Sequence, residues 1–226
     1  MEVPFKIGRK EFLIKPYKTW QEKDVLLASS FGVTDLTKIL DILHFKTDEV
    51  LTEEEKKVLL YKHREISLGD EVDIKFKCDK CGQGNDGIIE ASNFVVEPKR
   101  FDDDIKQLEL TVTKENMFKF VTFDPDELDI DEYENLINRI KENQTHFDFI
   151  KSVPCLKCGT KKQFDMSSPE YIIEIMSEDN LMTLYKAYNY LIFFGKYSKE
   201  GIDSMYPFER SIFVGLLNKT KQDLSK

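Results

Sequence analysis

The chain has 226 residues, 41% of them hydrophobic and 33% charged, with a formal net charge of −9. This is the balance of a folded, soluble, cytosolic type of protein, large enough to bury a core as one domain or two small ones. It argues against nucleic acid as a partner of the whole surface. No apolar run approaches the roughly 18 residues that cross a bilayer, and the opening MEVPFKIGRKEF lacks the apolar stretch of a signal peptide.

In chain order, residues 3–16 read as a short hairpin, with Phe5 and Ile7 before a turn at Gly8 and Phe12 and Ile14 after it. Thr19 is positioned to cap a helix carrying Trp20, Val25, Leu26, Leu27 and Phe31, which stops at Gly32. Thr34 or Asp35 restarts a helix through Leu36, Ile39, Leu40, Ile42 and Leu43. Thr52-Glu53-Glu54-Glu55 has the pattern of a capping box, and its helix runs to about Ser67. Alternating Val72, Ile74 and Phe76 form a strand, and Gly87-Ile88-Ile89 a second.

From Phe94 to about Phe123 the pattern is mostly β, with Asp102-Asp103-Asp104 read as a solvated turn. A helix covers 131–143, with Tyr133, Leu136, Ile137 and Ile140 on one face. The last sixty residues change character. Helices begin at Pro169 and cover 180–194, a loop spans Gly195–Gly201, and a further helix runs through Phe213 and Leu217 into a polar tail after Asn218. His44, His63 and His146 read as surface or boundary residues.

The four cysteines occur as two copies of one pattern, Lys-Cys-Asp-Lys-Cys-Gly at 77–82 and Pro-Cys-Leu-Lys-Cys-Gly at 154–159. Two intervening residues let one tight turn aim both thiolates at a point, and the following glycine permits the positive φ such a knuckle needs. Backbone N–H groups there can donate to sulfur and steady its charge. Two knuckles complete a closed tetrahedral Cys₄ set, which is the structural kind of zinc site. The predicted metal ligands are therefore Cys78, Cys81, Cys155 and Cys158, holding one Zn²⁺. Cys₄ ligation by itself also suits an iron–sulfur cluster. A compact ribbon separates its knuckles by about 15–20 residues; here the gap is long enough to hold an inserted subdomain.

Lys75, Lys77, Lys80, Lys151, Lys157, Lys161 and Lys162 crowd the knuckles. They offset the charge of a zinc–tetrathiolate centre, or they form a phosphate-binding face, which makes a nucleic-acid-binding zinc ribbon the alternative reading. No Gly-rich phosphate loop, Ser-His-Asp context or His-Glu metal helix is present, so no catalytic residues are assigned and no enzyme is expected.

Several stretches together carry a resemblance: Lys15-Pro16-Tyr17…Glu22-Lys23…Leu26-Leu27-Ala28, then Glu65-Ile66-Ser67-Leu68-Gly69-Asp70-Glu71-Val72 running into Cys78-Asp79-Lys80-Cys81-Gly82. Over roughly residues 5–92 this resembles the baseplate hub assembly proteins of T4-like contractile-tailed bacteriophages. The second knuckle matches that plan, and Tyr197-Ser198…Ile202…Met205-Tyr206-Pro207-Phe208-Glu209-Arg210…Leu216-Leu217 is similar to the helical tail of phage hub proteins. The resemblance implies a non-enzymatic zinc-binding protein that helps build the baseplate hub through contacts with other hub proteins, as an assembly factor (chaperone) or a hub component. Its expected place is the host cytoplasm during assembly, with the virion as the other candidate, and neither a membrane nor nucleic acid is an expected partner.

The fold class expected is α+β, with a split Cys₄ zinc ribbon joining an N-terminal α+β part to an all-helical C-terminal module. The boundaries are 1–70 for the hairpin and helices, 71–166 for the ribbon with its insert at about 94–150, and 167–226 for the helical module. The aromatic surplus of that module nominates Tyr190, Phe193, Phe194, Tyr197, Tyr206, Phe208 and Arg210 as partner contacts.

Overall fold

The computed structural model describes residues 2–96, 119, 121, 130–143 and 145–224. Most of the β pattern expected from Phe94 to Phe123, and the Asp102–Asp104 turn, lie outside the described residues. What is described is α+β. Strands β1 (Val3–Ile7) and β2 (Lys10–Ile14) pair around Gly8, at φ +56°. Helices α1 (Thr19–Ser30), α2 (Leu36–Ile42) and α3 (Glu53–Leu68) follow, then the antiparallel pair β3 (Glu71–Lys77) and β4 (Gly84–Glu90). After β5 (Val95–Val96) come α4 (Ile130–Glu142), β6 (His146–Phe147), β7 (Ile150–Pro154) and β8 (Lys161–Asp165). The remaining elements are α5 (Pro169–Glu174), α6 (Leu181–Phe193), α7 (Lys199–Ser204) and α8 (Pro207–Leu224).

The residues group into two compact units, one of Met1–Phe5, Glu11–Ser92 and Phe149–Lys226, the other of Lys6–Lys10 and Asn93–Asp148. In the second unit β5 pairs antiparallel with β6, and Leu136 and Ile140 of α4 are buried.

Local chemistry sets most helix ends in the first unit. Thr52 accepts from the Glu55 N–H at 3.2 Å while the Glu55 carboxylate accepts from the Thr52 N–H at 2.7 Å, so the capping box forms as the pattern implies. Asp35, Ser168 and Asn180 cap α2, α5 and α6 more simply, each accepting one first-turn backbone N–H through its side chain. At α1 the structure differs. The cap is Lys18, whose N–H donates to the Gln21 side chain at 2.8 Å, and Thr19 is already helical. The Thr19 hydroxyl instead donates to the Met205 carbonyl at 3.0 Å, a tertiary bond that outcompetes the local one. Two readings of the C-terminal stretch are also corrected. Ser198 caps the short helix α7 where only a loop end was expected, and α8 continues to Leu224 through the supposed polar tail.

The C-terminal helices close on α1. Leu184, Tyr188, Leu191 and Ile202 form a buried cluster, with Leu26 of α1 and Tyr197, Phe213, Val214 and Leu217 packed against it. Polar groups reinforce this contact from within. Glu22 of α1 and Arg210 of α8 are both buried; the guanidinium bonds both Glu22 oxygens and reaches Asp179 at 3.1 Å. Burial pulls the Arg210 pKa down, but the bonds to Glu22 and Asp179 outweigh it and the net shift is upward.

Arg64 fastens α3 by donating to the carbonyls of Ile175, Gly69 and Glu71. The phenol of Tyr17 donates to the Met176 carbonyl and that of Tyr61 to the Met166 carbonyl, each tying the N-terminal helices to the stretch around α5. His63 is not a surface residue. It is 1% exposed, with Nδ1 at 3.0 Å from the Lys15 carbonyl and Phe45 edge-on to its ring.

Candidate metal centre

Two hairpins present the cysteines. On β3, Val72, Ile74 and Phe76 face inward and deliver the chain to Cys78; on β7, Val153 does the same for Cys155. The knuckles then close identically. The Gly82 N–H donates to the Cys78 carbonyl at 2.9 Å and the Gly159 N–H to the Cys155 carbonyl at 2.9 Å. The Cys78 N–H donates to the Gln83 carbonyl at 2.8 Å and the Cys155 N–H to the Thr160 carbonyl at 2.9 Å. Both glycines sit at φ +70°, where a side chain would be strained.

All four Sγ atoms lie within 4.8 Å of one another. Cys78 and Cys158 are 3.6 Å apart and Cys81 and Cys155 3.7 Å. A tetrahedron with arms of about 2.3 Å, the Zn–S length, has edges of about 3.8 Å, so the donor set fits one ion. Among the described residues these cysteines are the group able to hold a metal ion. Cys78 and Cys155 are buried, and Cys158 is exposed.

The backbone around the sulfurs favours negative charge. The Cys158 N–H, with that of Lys157, lowers the Cys155 pKa against the cost of burial. The Thr160 hydroxyl and N–H pull the Cys158 thiol down to about 6. At Cys81 the Gln83 N–H acts in the same direction, but burial and the three neighbouring thiols outweigh it and hold the group up at about 11. Four sulfurs this close cannot all ionise by themselves, and a bound dication removes that conflict by making every one a thiolate.

Contacts that the cysteine spacing does not announce join the two hairpins. Asn85, buried on β4, accepts from the Leu156 N–H at 3.0 Å through its side-chain oxygen. Phe76 and Phe164 meet edge to face at 5.5 Å. Gly87 stands opposite Ile74, and a Cβ there would lie 2.9 Å from Val153 Cγ1, so the missing side chain makes room for the second hairpin. A glycine inside a strand, here between Asp86 and Ile88, is the one available hint of such a close approach. Of the neighbouring lysines, Lys162 pairs with Asp79 at 3.0 Å, Lys151 donates to the Ser92 carbonyl at 2.8 Å, and Lys75 lies across the strands from Asp86.

The residues nominated as partner contacts are distributed unevenly. Phe193, Phe194 and Phe208 are exposed, at 67%, 52% and 46%. Tyr190, Tyr197 and Tyr206 are half-buried; Tyr197 packs on Phe213, Tyr206 stacks on Phe208, and Lys221 lies over the rings of Phe194 and Tyr190. Arg210 is buried in its ion pair with Glu22, which takes its guanidinium away from the surface.

Comparisons with curated proteins and with solved structures found no match. A family model described as T4 bacteriophage base plate protein matches residues 1–152. The matched span carries the capped helix α3, the whole β3–β4 hairpin and the first knuckle, and it ends just before the second. With more than half its length in that match, the chain belongs to the T4 bacteriophage base plate protein family.

Proposed function

We propose that this protein is a non-enzymatic, zinc-stapled component of phage baseplate hub assembly that works through contacts with other baseplate proteins. The family match is the observation that carries the baseplate role. The fit of the four sulfurs to a single tetrahedral ion supports the staple. Sulfurs within 4.8 Å of one another favour one ion over a multi-iron cluster, whose irons and sulfides would have to fit between them.

In this reading residues 71–166 are a split zinc ribbon carrying an insert at about 94–150, and the metal clips its two hairpins together. Residues 167–226 are a helical module offering the exposed rings of Phe193, Phe194 and Phe208 to a partner. The protein acts in the host cytoplasm during assembly, either leaving as an assembly factor or staying in the hub.

Two measurements test this. The purified protein is expected to be colourless and to hold about one equivalent of zinc; iron, or no metal in freshly reduced protein, overturns the staple. Co-expressed with the other baseplate proteins, the wild-type chain should co-purify with them and Phe193→Asp/Phe194→Asp should not. Equal recovery of the variant moves the contact surface elsewhere on the chain.

A further inference from the structure

We propose that α8 pairs two copies of this chain antiparallel, about a two-fold axis at the level of residue 214. The inner face of α8 is already used. Arg210 is buried, Phe213, Val214 and Leu217 pack on the α6–α7 cluster, and Lys221 covers Phe194. Those positions occupy one side of the helix. On the opposite side Phe208, Ile212 and Leu216 are exposed at 46%, 56% and 55%.

Ile212 and Leu216, with Glu209, Lys219 and Asp223, make a second row, 209-212-216-219-223, spaced alternately three and four residues, with Phe208 beside its start. That is the spacing at which one helix packs along another. The row from 209 to 219 is about 15 Å long. Gly215 flanks it with nothing within 4 Å of a would-be Cβ, leaving a second backbone room to approach.

The charges select the occupant. Glu209 and Lys219 are equally distant from residue 214, one on each side. Turning a second copy about that point sets Ile212 against Leu216 of the other chain, and the same register sets Glu209 against its Lys219 at both ends. A parallel arrangement would stack Glu209 on Glu209 and Lys219 on Lys219, which is repulsive. An unrelated partner would have no need of opposite charges placed symmetrically about an apolar centre. One Glu209 oxygen accepts from the Tyr206 N–H at 2.8 Å, so the carboxylate is already held at the start of α8.

A single helix face is smaller than the roughly 1,200–2,000 Å² of a stable interface, so the dimer is weak, with a dissociation constant of about 10–100 μM. Sedimentation equilibrium on the full chain across that range is the test. Wild type is expected to show a monomer–dimer equilibrium. Lys219→Glu places like charges at both ends and Ile212→Asp removes the apolar centre; each is expected to weaken association about tenfold or more. The double exchange Glu209→Lys/Lys219→Glu restores opposite charges and should bring association back to within about threefold of wild type. A wild type that stays monomeric, a Lys219→Glu variant that associates as well as wild type, or a double exchange no better than Lys219→Glu each overturns the proposal. None of these results bears on the metal centre or on recovery with other baseplate proteins.

Discussion

Replacing Arg210 by Met isolates what holds the C-terminal helices to α1. The side chains of Arg210 and Glu22 are 2% and 0% exposed, and the guanidinium is the cation on Glu22, whose other described contact is the Ser177 hydroxyl at 2.6 Å. Methionine keeps much of the volume but leaves that carboxylate without a counter-charge in the interior. Breaking a buried pair from one side costs about 3–5 kcal/mol. For a chain of this size that corresponds to a fall in melting temperature of roughly 6–20 °C.

Urea unfolding followed by fluorescence reads this directly, because the single tryptophan, Trp20, lies on α1 two residues before Glu22. Removing both charges, in Glu22→Leu/Arg210→Met, should recover most of the loss, since no uncompensated carboxylate then remains at position 22. A loss below about 1 kcal/mol in Arg210→Met, the worth of a surface pair, refutes the reasoning. So does a double variant as unstable as the single one.

Two further outcomes follow from the fold. Burial lowers the His63 pKa from 6.5 to about 4, against the opposing hydrogen bond to the Lys15 carbonyl. The folded protein thus binds this proton less readily than the unfolded chain, so stability is full above about pH 6.5 and falls by about 3 kcal/mol as the pH drops to about 4. His63→Gln should flatten that part of the stability–pH curve relative to wild type; an unchanged slope would count against a neutral buried imidazole. Gly87→Ala drives a Cβ against Val153, whose branched side chain is stiff. It is expected to cost about 1–3 kcal/mol and to speed metal loss to a chelator, with Val153→Ala relieving both; an alanine variant with unchanged metal retention would show that the hairpins are not held by this contact.

The sequence by itself determined the features that neighbouring residues decide. The capping box at Thr52–Glu55, the cap at Asp35 and the closure of both knuckles span three to six residues, so few other influences compete with them. The grouping of the cysteines was legible for another reason: two knuckles of two thiolates each make up one tetrahedral set, whatever chain runs between them. Tertiary structure decided the rest. Arg210 looked like an interface anchor because its surroundings in sequence are aromatic, yet its partner is Glu22, far away along the chain, and pairing drew it into the core. The same competition moved the cap of α1 from Thr19 to Lys18 and buried His63 beneath the Lys15 carbonyl. Gly87 and Asn85 acquired their roles only when the second hairpin arrived against the first. Contacts between distant segments depend on how the whole chain packs, and no local spacing records them.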